Sequence, residues 1–201
     1  MSRDVIVALI GAFATLLAAA IGVIWNRRRS NETDLISSSH EARVKRRHRF
    51  DVFVSAPLAA YSSDEEIHAD HDHIAPVVKL LEGQLGFVVY WAGRNIVQKS
   101  DFEAADLSAR DDVDAILESK YFLLLYPEKI ASSVLFEAGI ALRACLTSIY
   151  FVRSQSTLPF LMTQASQAFT NVRTYEGKVP EDLLTLLQRH GRSFFDPLRE
   201  S

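Results

Sequence analysis

The hydrophobic and polar positions divide the chain into three stretches of different rhythm. Residues 5–25 are apolar except for Thr15, with no charged side chain in 21 positions. A helix needs about 20 such residues to cross the hydrocarbon core of a bilayer, so this stretch predicts a transmembrane helix. Residues 26–48 are polar and charged without apolar periodicity, which marks a linker. From 49 to 201, short apolar runs alternate with amphipathic ones.

Within that last stretch, Phe50-Asp-Val-Phe-Val-Ser55 reads as a first strand. A polar loop follows, then a helix from about His73 to Gly83 with Pro76 in its first turn, where proline is tolerated. Phe87-Val-Val-Tyr-Trp91 is a second strand, 93–98 a loop, and 102–119 a helical region with acids on its outer face. Residues 121–126 are apolar at successive positions, which predicts a central parallel strand buried on both faces. A helix around Glu137, a strand over 148–153, a short helix over 159–169, a weak edge strand over 172–175 and an amphipathic helix over 181–190 complete the pattern. Five strands alternating with helices predict an α/β fold, a doubly wound parallel sheet with helices on both faces.

Such sheets bind ligands outside the carboxyl ends of their strands. In the common five-stranded order, the switch point falls between the first and third strands. The loop Ser55-Ala-Pro-Leu58, the loop from Tyr126 to Ser133 and the helix carrying Glu137 are therefore expected to share a cleft.

Charge sharpens the division. Residues 27–49 hold eight Arg or Lys against three acids, whereas 13 Arg or Lys face 21 Asp or Glu from Phe50 onward. An acidic domain repels polyanions, which excludes nucleic acid as its partner. Arg27, Arg28 and Arg29 just after the apolar run predict a single-pass anchor in the inner (plasma) membrane with the domain in the cytoplasm. Arg43, Lys45, Arg46, Arg47 and Arg49 suit either anionic headgroups of the lipid bilayer or an ordinary solvated linker. A cleaved signal peptide is shorter and ends in a small-residue cleavage site, unlike this segment. The single Cys145, among Leu142, Ala144 and Leu146, reads as a small core residue.

Glu137 is the only charged residue between Lys129 and Arg143. In a helix it faces Ser133, Val134, Ile140 and Ala141, a small and apolar wall. Burying such a carboxylate is costly or raises its pKa, and raised carboxylates in clefts are candidate functional groups. The plainer account, an acid in a first helical turn, also holds here. A capping box does not fit, because Leu135 and Phe136 stand three residues after Ser132 and Ser133.

The strand Asp-Val-Phe-Val-Ser, followed later by a Ser-Ser-x-x-x-Glu-Ala-Gly-x-Ala-Leu helix, resembles the TIR-like and nucleoside 2-deoxyribosyltransferase-like superfamily over about 50–190. The resemblance implies a five-stranded flavodoxin-like sheet and a helix glutamate, here Glu137, that breaks an N-glycosidic bond. The transferase pattern carries an aspartate near the start of the third strand and an acidic loop after it. Here those places hold Lys120 and Tyr126-Pro127-Glu128. A lone acid suits NAD, whose nicotinamide leaves as a cation, better than a neutral base that wants a proton donor. The resemblance thus points to NAD as substrate, with no cofactor, and to a membrane-anchored effector of antiphage immunity or stress signalling. By the same resemblance activity involves self-association; the sensor is left open between a separate protein and the membrane segment itself. A nucleoside deoxyribosyltransferase or nucleotide N-glycosidase, and a non-catalytic adaptor or nucleotide sensor, are the alternatives.

Around Glu137 the candidate substrate-binding residues are Ser55 and Ala56 on the first loop and Ser133 one turn before the acid. Tyr61, Trp91 and Tyr126 are placed to stack on a base, and Arg94 to meet a pyrophosphate. Each has an ordinary account too: Ser133 as a helix cap, the aromatics as core, Arg94 as a solvated charge. Asp101, Asp106 and Asp114 read as a solvated helix face. His68-Ala-Asp-His-Asp-His73 lacks a second ligand pair at a recognised spacing, so no metal is expected, and Asp70 or Asp72 reads as a helix cap.

Overall fold

The computed structural model describes residues 48–102 and 104–196. The predicted membrane helix at 5–25, and the linker as far as Arg47, lie outside the described residues. Among the described residues, no helix is long and apolar enough to cross a membrane.

Five strands form one sheet in the order β2-β1-β3-β4-β5, with every neighbouring pair parallel. They are β1 (Phe50–Ser55), β2 (Val89–Tyr90), β3 (Ser119–Tyr126), β4 (Thr147–Val152) and β5 (Val172–Glu176). The helices are α1 (Asp64–Gly83), α2 (Ala105–Leu117), α3 (Val134–Arg143), the single turns α4 (Phe160–Thr163) and α5 (Ala165–Ala168), and α6 (Glu181–His190). The doubly wound, flavodoxin-like sheet expected from the alternation is the one that forms, with its switch point between β1 and β3.

Strand side chains alternate between two apolar layers. Val52, Val54, Leu123, Leu125, Ile149 and Phe151 face α1 and α6, which contribute Ile67, Ile74, Leu81, Leu183 and Leu187. Phe53, Phe122, Leu124, Tyr126 and Tyr150 face the other way, against Ile116 of α2 and Val134, Ala138 and Ala141 of α3. β3 lies between β1 and β4 under helices on both faces, which is why its residues are apolar in succession. Ser55 pairs with Leu124 at the carboxyl end of β1. By the alternation it shares the side of Phe53, and so faces α3.

The main departure from the sequence pattern is α1, which begins at Asp64 rather than near His73. Ser63 Oγ accepts from the Glu66 amide at 3.2 Å, while Glu66 Oε2 accepts from the Ser63 amide at 3.1 Å. This reciprocal capping box, with Asp64, Glu65 and Glu66 in the first turn, starts the helix early. Pro76 consequently lies in the helix interior, on its exposed side, where water can take the carbonyl it leaves unpaired. Asp70 and Asp72 are helix-interior residues and not caps. The second strand shrinks to two residues at the sheet edge, and the helix expected over 159–169 is two separate turns. Cys145 is exposed, not buried: it follows α3 with φ 53°, while the Leu146 amide donates to the Ala141 carbonyl at 3.0 Å to close the helix end.

Removing the cap isolates its contribution. Ser63→Ala is expected to cost about 1 kcal/mol and lower Tm by about 2–4 °C, whereas Ser63→Asp holds the wild-type value. Scanning calorimetry of the two variants tests this.

Candidate active site

α3 buries Val134, Glu137, Ala138 and Ala141, the i, i+3, i+4, i+7 stripe that packs on the sheet. Glu137 is therefore an acid within the apolar stripe itself, and it is only 8% exposed. Its carboxylate reaches the end of β1, where Ser55 Oγ donates to Glu137 Oε2 at 2.6 Å. The two residues are 82 positions apart in the chain, and the parallel β1–β3 pairing is what brings them together.

Burial pushes the Glu137 carboxyl above the usual glutamate range. The Ser55 hydrogen bond opposes that shift, nearby Asp112 adds to it by like-charge repulsion, and the Ser133 hydroxyl opposes it more weakly. Ser133 stands just before α3 with φ −54° and ψ −25°, already helical, and its side chain makes no capping hydrogen bond. Its hydroxyl acts weakly on the Glu137 titration and does not cap the helix.

Asp112 belongs to α2 and was not singled out by the sequence pattern, which gives it the look of one acid among many. Tyr90, at the end of β2, donates its hydroxyl to Asp112 Oδ1 at 3.1 Å. The Tyr90 ring stacks on Phe53 at 5.2 Å between centroids, so the phenol is fixed by the same layer that holds Ser55 and Glu137. A signal for Asp112 did exist: it lies three and four positions before the buried Ala115 and Ile116, on the inward side of α2.

The remaining candidates are placed differently. Ala56 is half-buried and packs on the α1 side of the sheet. Tyr61 donates its hydroxyl to Asp70 Oδ1 of α1 at 3.2 Å. Trp91 is 6% exposed in the α1 layer with the His71 ring 5.0 Å away, so it is core and offers no open stacking face. Tyr126 is buried in the α3 layer, and its hydroxyl bonds the Ile130 carbonyl and accepts from the Ile130 amide, closing the loop after β3. Arg94 is held in a two-pronged pair by Glu82 of α1 at 2.7 and 3.2 Å, which leaves it stapling two elements and not waiting for a pyrophosphate. In the His68–His73 segment, His68 and Asp72 pair along the helix at 3.5 Å and His71 lies against Trp91.

The arrangement is a buried, hydroxyl-held carboxylate at the carboxyl edge between β1 and β3, with Asp112 of α2 acting on it by like-charge repulsion. Two acids so placed can divide labour at a carbon–heteroatom bond, one meeting developing positive charge and the other supplying a proton.

The domain is a flavodoxin-like α/β fold with its candidate site at the switch point. The fold is shared with the CMP N-glycosidase BcmB of Clostridium botulinum, whose structure superposes with a TM-score of 0.53 at 18% identity, covering 70% of this chain and 98% of that one. No protein-family model matches the chain, and no curated protein is similar to it in sequence.

The raised Glu137 pKa sets the sign of a stability test. Between the ordinary glutamate value and the raised folded one, the native state holds a proton that the unfolded chain has released, so stability falls as pH rises through that window. Glu137→Gln should therefore be more stable than wild type at neutral pH, with the difference closing toward pH ~4, as read by urea denaturation across the range. Ser55→Ala removes a bond that favours the ionised form, so the carboxyl titrates at still higher pH in carbon-detected NMR.

Proposed function

We propose that this domain cleaves the N-glycosidic bond of a nucleotide, with Glu137 facing the sugar. The observation that carries the reading is the buried Glu137 carboxylate held by Ser55 at the switch point. Breaking a ribosyl–base bond builds positive charge on the sugar ring, and an ionised carboxylate in a dry site stabilises that charge or attacks the anomeric carbon. Water then supplies the hydroxyl that replaces the base.

Asp112, held by Tyr90, is the group that protonates the departing base in this scheme. Its position changes the substrate argument made from sequence, where a lone acid favoured NAD. A second carboxylate supports a neutral leaving base, and the fold shared with a CMP N-glycosidase supports a nucleoside monophosphate. The pairing of Arg94 with Glu82 takes away the cation that the NAD reading assigned to the pyrophosphate. Anchoring through residues 5–25 is part of the proposal and rests on their unbroken apolar character.

The test is release of free base from CMP, other nucleoside monophosphates, deoxynucleosides and NAD by the purified full chain. Glu137→Gln is expected to lower kcat on the order of 10³-fold; turnover that survives intact in this variant would sink the mechanism. Asp112→Asn should lose about 10²-fold or more on a neutral base and much less on NAD, whose nicotinamide needs no proton to leave. Turnover confined to NAD returns the reading to an NAD hydrolase, and absence of any turnover to a non-catalytic nucleotide sensor or adaptor.

A further inference from the structure

Two helices each carry one buried acid in their apolar stripe, and both acids hold the same loop. On α3 the acid is Glu137, bonded to Ser55. On α1 the buried positions are Ile67, Asp70, Ile74, Val77, Val78, Leu80 and Leu81, and Asp70 is 6% exposed. Asp70 Oδ1 accepts from the Tyr61 hydroxyl at 3.2 Å, while Oδ2 is buried with no partner among the described residues. A leucine at this position would match the rest of the stripe. An acid there is costly, since a buried carboxylate with an empty acceptor loses its hydration and regains little.

The loop from Ser55 to Tyr61 is thus clamped at both ends by carboxylates from opposite faces of the sheet. Beyond the ladder pairing of Ser55 with Leu124, its backbone bonds outside the strands are local: the Leu58 amide to Ala56, the Ala60 amide to Pro57 and the Tyr61 amide to Leu58. Leu58 anchors its middle in the α1-side core, and the side-chain hydrogen bonds at Ser55 and Tyr61 tie its two ends to the helices. Glu128, in the loop after β3, acts on both Tyr61 and Asp70 by raising their titration.

We propose that Asp70 is a positioning residue, sacrificing stability to hold Tyr61 and so fix the loop that presents Ser55 to Glu137. The inference rests on the functional reading of Glu137 for its purpose, and on the loop geometry for its physical content.

Two substitutions in the full chain separate this from a merely structural role. Asp70→Leu completes the apolar stripe and releases Tyr61, so Tm should rise by about 2–4 °C while the amides of 56–61 exchange about tenfold faster. Activity should fall about tenfold, mainly in kcat, because the loop's other end holds the reacting carboxylate. Asp70→Asn keeps an acceptor for Tyr61 and should keep wild-type loop exchange and kcat. Tyr61→Phe loosens the loop as Asp70→Leu does, but lowers Tm because Asp70 is left without a partner. Unchanged loop exchange in Asp70→Leu, or a lower Tm in that variant, overturns the inference whether or not the protein turns over any substrate. Absence of base release by the wild type, with loop exchange responding as described, overturns only the functional reading.

Discussion

A carboxylate removed from water needs a hydrogen bond that does not depend on water, and the Ser55–Glu137 contact supplies it. The rest of the domain arranges that contact. Parallel pairing of β1 with β3 sets the register that puts Ser55 at the carboxyl edge, and the α3 stripe seats Glu137 against the sheet. Without Ser55, burial alone would favour the protonated acid. Ser55 works against that shift, and a carboxyl whose titration is moved by its surroundings is the kind of group found at functional sites.

The same economy of parts appears in the neighbouring elements. Tyr90 stacks in the Phe53 layer and offers its hydroxyl to Asp112, so the ring that packs on β1 also holds an acid of α2. On the opposite face, α1 holds Tyr61 through Asp70 and Arg94 through Glu82. The Ser55–Glu137, Tyr61–Asp70 and Tyr90–Asp112 bonds lie around the carboxyl edge of β1 and β2, and Glu137 and Asp70 are acids set within otherwise apolar helix stripes. Polar groups buried at an edge cost stability, and a fold that keeps several of them there is shaped by more than packing.

Some features were readable from local pattern and some were missed despite a readable signal. The double-sided apolar run of β3 announced a central parallel strand, and the isolated acid of α3 announced Glu137, because both depend on periodicity within one element. The early start of α1 was also written locally, in Ser63-Asp-Glu-Glu66, yet the polar surface of its first two turns disguised a helix as a loop. Asp70 and Asp112 each stand on the inward stripe of their helix, a pattern hidden by the many acids around them. Trp91, Tyr126 and Arg94 are of residue types suited to ligands, but type does not say whether a ring is covered or a charge already paired.

Sequence by itself determined the alternation of strands and helices, the parallel sheet that follows from it, and the anomaly of one acid in an apolar stripe. These are local properties, set by the period of side chains along a strand or helix. Only the tertiary structure decided which hydroxyl meets that acid, that Tyr90 holds Asp112, and that Arg94 and Trp91 are committed elsewhere. Those contacts join residues far apart in the chain, and their distances are fixed by strand register and helix packing, which no single segment encodes.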